Sequence, residues 1–301
     1  MIMHSVTLYV VTVLIWGSTF FAIKFQLGVV GAEVSLVYRF LLASVLLTIY
    51  CLLTKRSLRY SPSQHMFIFL QALFLFSTNY LIVYWATGLL SSGIIALIFS
   101  TVILMNIING ALILRQPVNL KVIPGALFGI VGVAAIFWSE VSNMENSLTS
   151  WHGLWLCLLS AFSASIGNIL SARNQQNNLP VVQTNALGMG YGALIMAGYA
   201  FYHGTSFNYD PSPDYTLSLL YLSVFGSIVA FGSYLTLIGR IGAEKTSYAS
   251  VLFPVVALSI STVYEDYQWT LPAIFGFALV IFGNYLVLRK PRNTSTLPAN
   301  S

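Results

Sequence analysis

The sequence predicts an all-α polytopic membrane protein, with ten transmembrane helices arranged as two inverted five-helix repeats. Three observations predict it. The composition is too apolar for water, the apolar residues fall into ten runs long enough to cross a bilayer, and the loops between the runs alternate in charge. Of 301 residues, 57% are hydrophobic and 7% charged, against roughly 25% charged in a soluble domain. The net charge of +5 comes from basic residues scattered singly or in short clusters. That is no basic face on a soluble domain, so nucleic acid is not an expected partner. The lipid bilayer is.

A helix needs roughly 17–25 residues to cross the hydrocarbon core. The predicted spans are 5–24, 34–53, 66–86, 92–114, 122–138, 152–172, 182–202, 216–238, 246–264 and 271–288. Span 1 imitates a signal peptide, but residues 1–5 hold no Lys or Arg and no A-x-A cleavage site follows, so it reads as a retained helix. It carries Trp16, Ser18, Thr19 and, at its end, Lys24. Trp16 lies far from the interfaces where tryptophans collect, so it is either packing or the wall of a cavity. A short connection holding Glu33 leads into span 2, with Arg39 about five residues inside it. A buried arginine faces a partner or a water-filled path. Arg39 is read as a lock between spans 1 and 2, or as a contact to a solute.

Span 3 carries Asn79, Tyr80, Tyr84 and Trp85. The i to i+4 spacing puts Tyr80 and Tyr84 on one face. Tyr84 and Trp85, near the outer end, read as an aromatic belt; Tyr80 is deeper. Span 4 holds Ser100, Asn106 and Asn109, for which interhelical hydrogen bonding is the default. Gly125, Gly129 and Gly132 of span 5, like Gly276 and Gly283 of span 10, let helices approach closely. Span 6 offers Ser160, Ser163, Ser165 and Asn168, suited to close packing or to lining a cavity. Span 8 holds Ser233 and Tyr234, and span 9 holds Tyr248 and Pro254. The proline frees a backbone carbonyl and kinks the helix.

Loop charge sets the orientation. Loops after spans 2, 4, 6 and 8 carry Lys55, Arg56, Arg59, Arg115, Lys121, Arg173, Arg240 and Lys245, and the C-terminus adds Arg289, Lys290 and Arg292. Loops after spans 3, 5, 7 and 9 hold no Lys or Arg, only Glu140, Glu145, Asp210, Asp214, Glu265 and Asp266. Positive loops stay in the cytoplasm, so both termini are expected there. Lys24 and Arg39 alone break the pattern. Cys51 and Cys157 fall toward opposite sides, so no disulfide is expected.

The chain also repeats itself. "NYLIVYWATGLLSSGIIALIFS", from Asn79, matches "SYLTLIGRIGAEKTSYASVLFP", from Ser233, without gaps; Tyr80 pairs with Tyr234 and Phe99 with Phe253. Repeats of 1–140 and 150–290 follow, with a disordered cytoplasmic tail at 291–301. Five helices per repeat is odd, so the second enters the membrane inverted. Many secondary transporters are built this way, with the substrate site at the repeat interface near the midplane.

"WGSTFFAIK", "YRFLLAS", "GALFGIVGV", "GFALVIFGN" and "SYASVLFPVVALSISTVYEDYQW" together resemble the drug/metabolite transporter superfamily, EamA type, over nearly the whole chain. The resemblance implies an inner-membrane carrier, with a central cavity lined by helices 1, 3, 4, 6, 8 and 9. Members are mostly exporters of amino acids and related metabolites. One departure is Gln116, where members often carry Glu at the end of helix 4; Glu265 occupies the related place in the second half.

The expected cavity residues are Trp16, Ser18, Thr19, Asn79, Tyr80, Ser100, Ser163, Asn168, Tyr234, Tyr248 and Pro254. Lys24, Glu33 and Arg39 are the expected gate or charge residues. Lys24 either snorkels to the interface, draws anionic solutes to the mouth, or pairs with Glu33 as a hinge. No G-x-x-x-x-G-K-[ST] loop occurs, no carboxylate lies deep in a span, and no catalytic or metal-ligating constellation falls within the membrane. No cofactor, no metal and no enzymatic activity are therefore expected. The expected function is export of amino acids or similar small molecules by alternating access. Drug efflux is the alternative, and a membrane-embedded enzyme or lipid-handling protein is the remote one. A homodimer through membrane helices stays open.

Overall fold

The computed structural model describes residues 4–90, 95, 98–117, 123–136, 138, 148–264 and 269–288. Their ten long helices follow the apolar runs. Helices α1 (Ser5–Lys24) and α2 (Ala32–Leu53) are regular. Helix α3 (Pro62–Thr87) is π-wound over Leu73–Thr78. Then come α4 (Val102–Leu114), α5 (Ile123–Ile136), α6 (Leu148–Gln176) and α7 (Val181–Tyr202). Helix α8 (Pro213–Ile241) is π-wound over Leu222–Val229. A helical turn, Ala243–Ser247, leads into α9 (Ala249–Tyr264), and α10 spans Leu271–Leu288.

Most predicted ends hold to within a few residues. Helix α6 overruns its prediction at both ends, because polar residues such as Arg173 and Gln175 continue the helix past the apolar run. An apolar pattern marks where the bilayer ends, which is not where the hydrogen-bond ladder ends. Much of span 4 before Val102, together with Lys121, Glu140, Glu145, Glu265, Asp266 and the tail from Arg289, lies outside the described residues.

The two halves are built alike. Helix α3 starts at Ser61, whose side chain accepts from the Gln64 amide, with Pro62 in the first turn; α8 starts at Ser212, which accepts from the Tyr215 amide, with Pro213 following. Serine supplies the acceptor an orphan N–H needs, and proline has no N–H to orphan. Each helix then widens into a π segment, bridged by a serine five residues on. Ser77 Oγ donates to the Ala72 carbonyl at 3.1 Å, and Ser227 Oγ to that of Leu222 at 2.9 Å. A π turn has the i to i+5 reach that these bonds need.

Packing carries the same symmetry. Helix α5 packs on α10 and α2 on α7; α1 packs on α9 as α6 does on α4, and α3 packs on α6 as α8 does on α1. Adding five to a helix number maps this set onto itself. The α5–α10 contact is closest at glycines: a Cβ on Gly132 would stand 2.7 Å from the Gly276 carbonyl oxygen, and one on Gly283 would stand 2.7 Å from that of Gly125. Gly129 faces α9 as well, where a Cβ would stand 2.8 Å from Val251.

Outward faces are apolar. Leu14, Leu52, Leu112, Leu194 and Phe275 are all more than half exposed, as lipid-facing side chains are. Five helices (α1, α2, α3, α6 and α8) are long and apolar enough to cross a membrane by length and composition alone. The molecule is a ten-helix polytopic membrane protein of two five-helix repeats.

Candidate substrate cavity

Helices α1, α3, α4, α6, α8 and α9 surround a cavity of about 80 Å³. From the first half come Trp16, Thr19, Phe20 and Ile23 of α1, Leu75, Asn79, Tyr80 and Val83 of α3, and Phe99 and Val102 at the head of α4. The second half supplies Ala164 and Asn168 of α6, Phe231 and Tyr234 of α8, and Ser250 and Phe253 of α9. Neither half encloses the cavity alone.

Trp16 is fixed at both ends of its indole. Nε1 donates to the Gly226 carbonyl of α8 at 3.0 Å. The rings meet Phe231 at 4.7 Å and Phe253 at 5.7 Å, edge to face, and lie tilted on Tyr234 at 4.8 Å. Thr19 Oγ1 donates back to the Trp16 carbonyl at 2.8 Å, which spends its proton inside its own helix. Ser18, one position earlier and so about 100° round the helix, points elsewhere. It shares a 2.6 Å hydrogen bond with the Tyr221 hydroxyl in a separate shallow hollow.

Other expected residues divide the same way. Asn79, Tyr80, Asn168 and Tyr234 stand on the wall. Ser163 donates to the Phe74 carbonyl at 2.7 Å and Ser160 to Asn79 Oδ1 at 2.8 Å; both tie α6 to α3 and line nothing. Ser100 is buried off the wall. Tyr248 lies off the wall too, fully buried among Ile107, Ala126, Val251 and Val280. Pro254 is buried beside the cavity, and its missing N–H deprives the Ser250 carbonyl of its intrahelical donor at the wall. Phe20, Phe99, Phe231 and Phe253 carried no signal as single residues, because apolar residues in apolar helices look alike. The pairing of Phe99 with Phe253 across the repeat did point to two of them.

On one side of the cavity amide–hydroxyl hydrogen bonds tie the helices together, two of them across the halves. Asn106 Nδ2 donates to Ser247 Oγ at 2.5 Å, Asn109 Nδ2 to Ser165 Oγ at 2.8 Å, and Asn168 Nδ2, within the second half, to Tyr234 OH at 3.3 Å. This is the side of Arg115 and Lys245.

Arg39 does not join α1 to α2. It is fully buried, with Nε donating to Ser227 Oγ of α8 at 2.9 Å and Nη2 to the Tyr80 hydroxyl at 3.4 Å. Its guanidinium lies 4.5 Å from the Tyr80 ring centroid. Tyr84 is no belt residue: it is 1% exposed, whereas Trp85, next in sequence, is 41% exposed. One face of α3 turns Tyr80 and Tyr84 inward together. Glu33 Oε1 accepts from Thr205 Oγ1 at 2.5 Å, and Lys24 stands exposed at the end of α1.

Ten membrane helices in two halves, with a cavity shared between them, define a membrane transport protein. Residues 3–138 and 151–289 both match the EamA-like transporter family, and the chain belongs to that family. It is 24% identical to "Protein PagO" of Salmonella typhimurium over 93% of this chain and 88% of that one. It is 28% identical to the "Uncharacterized inner membrane transporter YedA" of Escherichia coli, over 92% and 90%. It is 23% identical to the "Uncharacterized transporter YoaV" of Bacillus subtilis, over 94% and 97%. A solved crystal structure superposes with a TM-score of 0.77 over 94% of this chain and 96% of its own, at 15% identity, which speaks for the fold alone. The family and the Escherichia coli and Bacillus subtilis relatives are named as transporters, not enzymes.

Proposed function

We propose that the protein is a secondary carrier of the cell inner membrane, with both termini cytoplasmic, that exports amino acids or related small metabolites by alternating access. The observation that carries this is the shared cavity. It lies at the interface of inverted repeats, where secondary transporters place their substrates. Its wall combines aromatic rings with a few polar groups, which suits a small amphipathic or zwitterionic solute. The hydrogen bonds of Asn106 and Asn109 close the side bearing Arg115 and Lys245, so the open side faces outward if basic loops are cytoplasmic. The inner-membrane location finds support in the name of the Escherichia coli relative.

The test is counterflow in proteoliposomes loaded in turn with amino acids, nucleosides and drugs. Accelerated exchange of an amino acid over empty liposomes is expected. Exchange confined to bulky drugs would replace export of metabolites by efflux, and no exchange of any class would end the carrier reading.

A further inference from the structure

Arg39 is fully buried, yet among the described residues no carboxylate pairs with it. Among the described residues its partners are the hydroxyls of Ser227 and Tyr80 and the ring faces of Tyr80 and Phe40. Nη1 makes no well-aligned hydrogen bond, and the buried hydroxyl of Tyr84, a turn beyond Tyr80, faces the same guanidinium. Glu33, the carboxylate nearest in sequence, is taken by Thr205. A buried cation with neutral partners is costly, and in membrane helices such groups mark solute paths. Among the described residues, the wall that Tyr80 lines holds no acidic side chain either. Arg39 reaches that wall through the Tyr80 hydroxyl.

From this we infer that the cavity selects solutes bearing a carboxylate, and that Arg39 is the positioning residue that sets the preference through Tyr80. The Nη2 group occupies an acceptor lone pair of the phenol oxygen, which leaves the phenol proton to be given to the solute. A phenol that accepts from a guanidinium is a stronger donor, and a bond from it to an anion is charge-assisted. The carboxylate supplies the countercharge Arg39 lacks. The solute's apolar body then lies against Trp16, Phe99, Phe231 and Phe253. This rests on the transport reading of the cavity and narrows its substrate class.

The experiment is thermal unfolding of the purified protein in detergent with three ligands that share a body and differ in the head group: 3-phenylpropionate, 3-phenylpropanol and 3-phenylpropylamine. A ligand that binds the folded state raises the melting temperature as its concentration passes its Kd. The acid is expected to bind about tenfold or more tighter than the alcohol, with the amine weakest. Tyr80→Phe keeps the ring under the guanidinium and removes only the hydroxyl; the acid-to-alcohol ratio should then fall to about threefold or less. Arg39→Lys keeps the charge and should retain part of the ratio. A role in packing alone would shift the apo melting temperature and leave the ratio unchanged. Equal binding of acid and alcohol, a full preference surviving in Tyr80→Phe, or no shift by any of the three overturns the inference. None of these touches the transport reading, which the counterflow screen decides separately.

Discussion

The type of a residue says what it can do, and its angle round the helix says whether it does it there. Ser18 and Thr19 are neighbours of similar chemistry, but only Thr19 reaches the cavity wall. Trp16, Asn79, Tyr80, Asn168 and Tyr234 were legible as wall residues because they are polar or large where a bilayer disfavours them. Ser163 and Tyr248 were equally conspicuous and turned out to join helices. Hydrogen bonds inside a protein satisfy polar groups as well as a solute does, so the type alone could not separate the two. Trp16 does both. Its indole N–H bonds α8 and its rings fill the space between Phe231, Tyr234 and Phe253. Trp16→Ala is therefore expected to cost roughly 3–5 kcal/mol of stability. Trp16→Phe keeps an aromatic ring and loses one hydrogen bond, which costs about 1 kcal/mol. Denaturant unfolding of the purified variants in detergent checks the order. An unchanged unfolding midpoint for Trp16→Ala would show that the ring contacts contribute nothing to the fold.

Elements were the most legible scale, because each apolar run is nearly as long as the bilayer is thick. The π segments of α3 and α8 were not legible. They arise where serines bridge to carbonyls five residues back, and serine does that without a distinctive pattern. The glycines of α5 and α10 were legible as packing positions, since small residues are what let helix backbones meet in lipid. A Cβ on Gly132 would stand 2.7 Å from the Gly276 carbonyl and 2.9 Å from the backbone nitrogen of Val280. Backbone atoms cannot swing aside, so α5 and α10 would have to part. Gly132→Ala is expected to destabilise by about 1–3 kcal/mol, the range for overpacking. Gly198 of α7 is the control, with nothing within 4 Å of an added Cβ. Gly198→Ala should be neutral or slightly stabilising, as alanine is the better helix former. Comparing melting temperatures of the two variants decides it: equal effects would mean that the α5–α10 approach is not limiting.

At the scale of the whole molecule, function depends on the two halves parting on one side while they close on the other. The closed side is held by few bonds. The Asn106–Ser247 and Asn109–Ser165 bonds join the halves, and the Asn168–Tyr234 bond braces the wall above them. Each is worth about 0.5–1.5 kcal/mol net, so the two that cross the halves supply roughly 1–3 kcal/mol. A gap of that size leaves the opposite state populated at about 1–15%, which a carrier needs in order to turn over. A salt-bridged or wholly apolar seal would be harder to open. The sequence showed the amides but not their partners, because Asn106 and Ser247 are 141 residues apart. Cysteine labelling tests the arrangement, and the background is low because Cys51 and Cys157 are both buried. A cysteine at exposed Ser57 should react with an impermeant reagent only from the cytoplasm, and one at exposed Asn208 only from outside. With those two as references, Phe20→Cys on the cavity wall is expected to react from the Asn208 side alone. Adding Asn106→Ala and Ser247→Ala to Phe20→Cys removes one of the two cross-half bonds on that side and should raise labelling from the Ser57 side several-fold. Labelling of Phe20→Cys from the Ser57 side before those two changes would mean that the amide–hydroxyl bonds do not close the cavity.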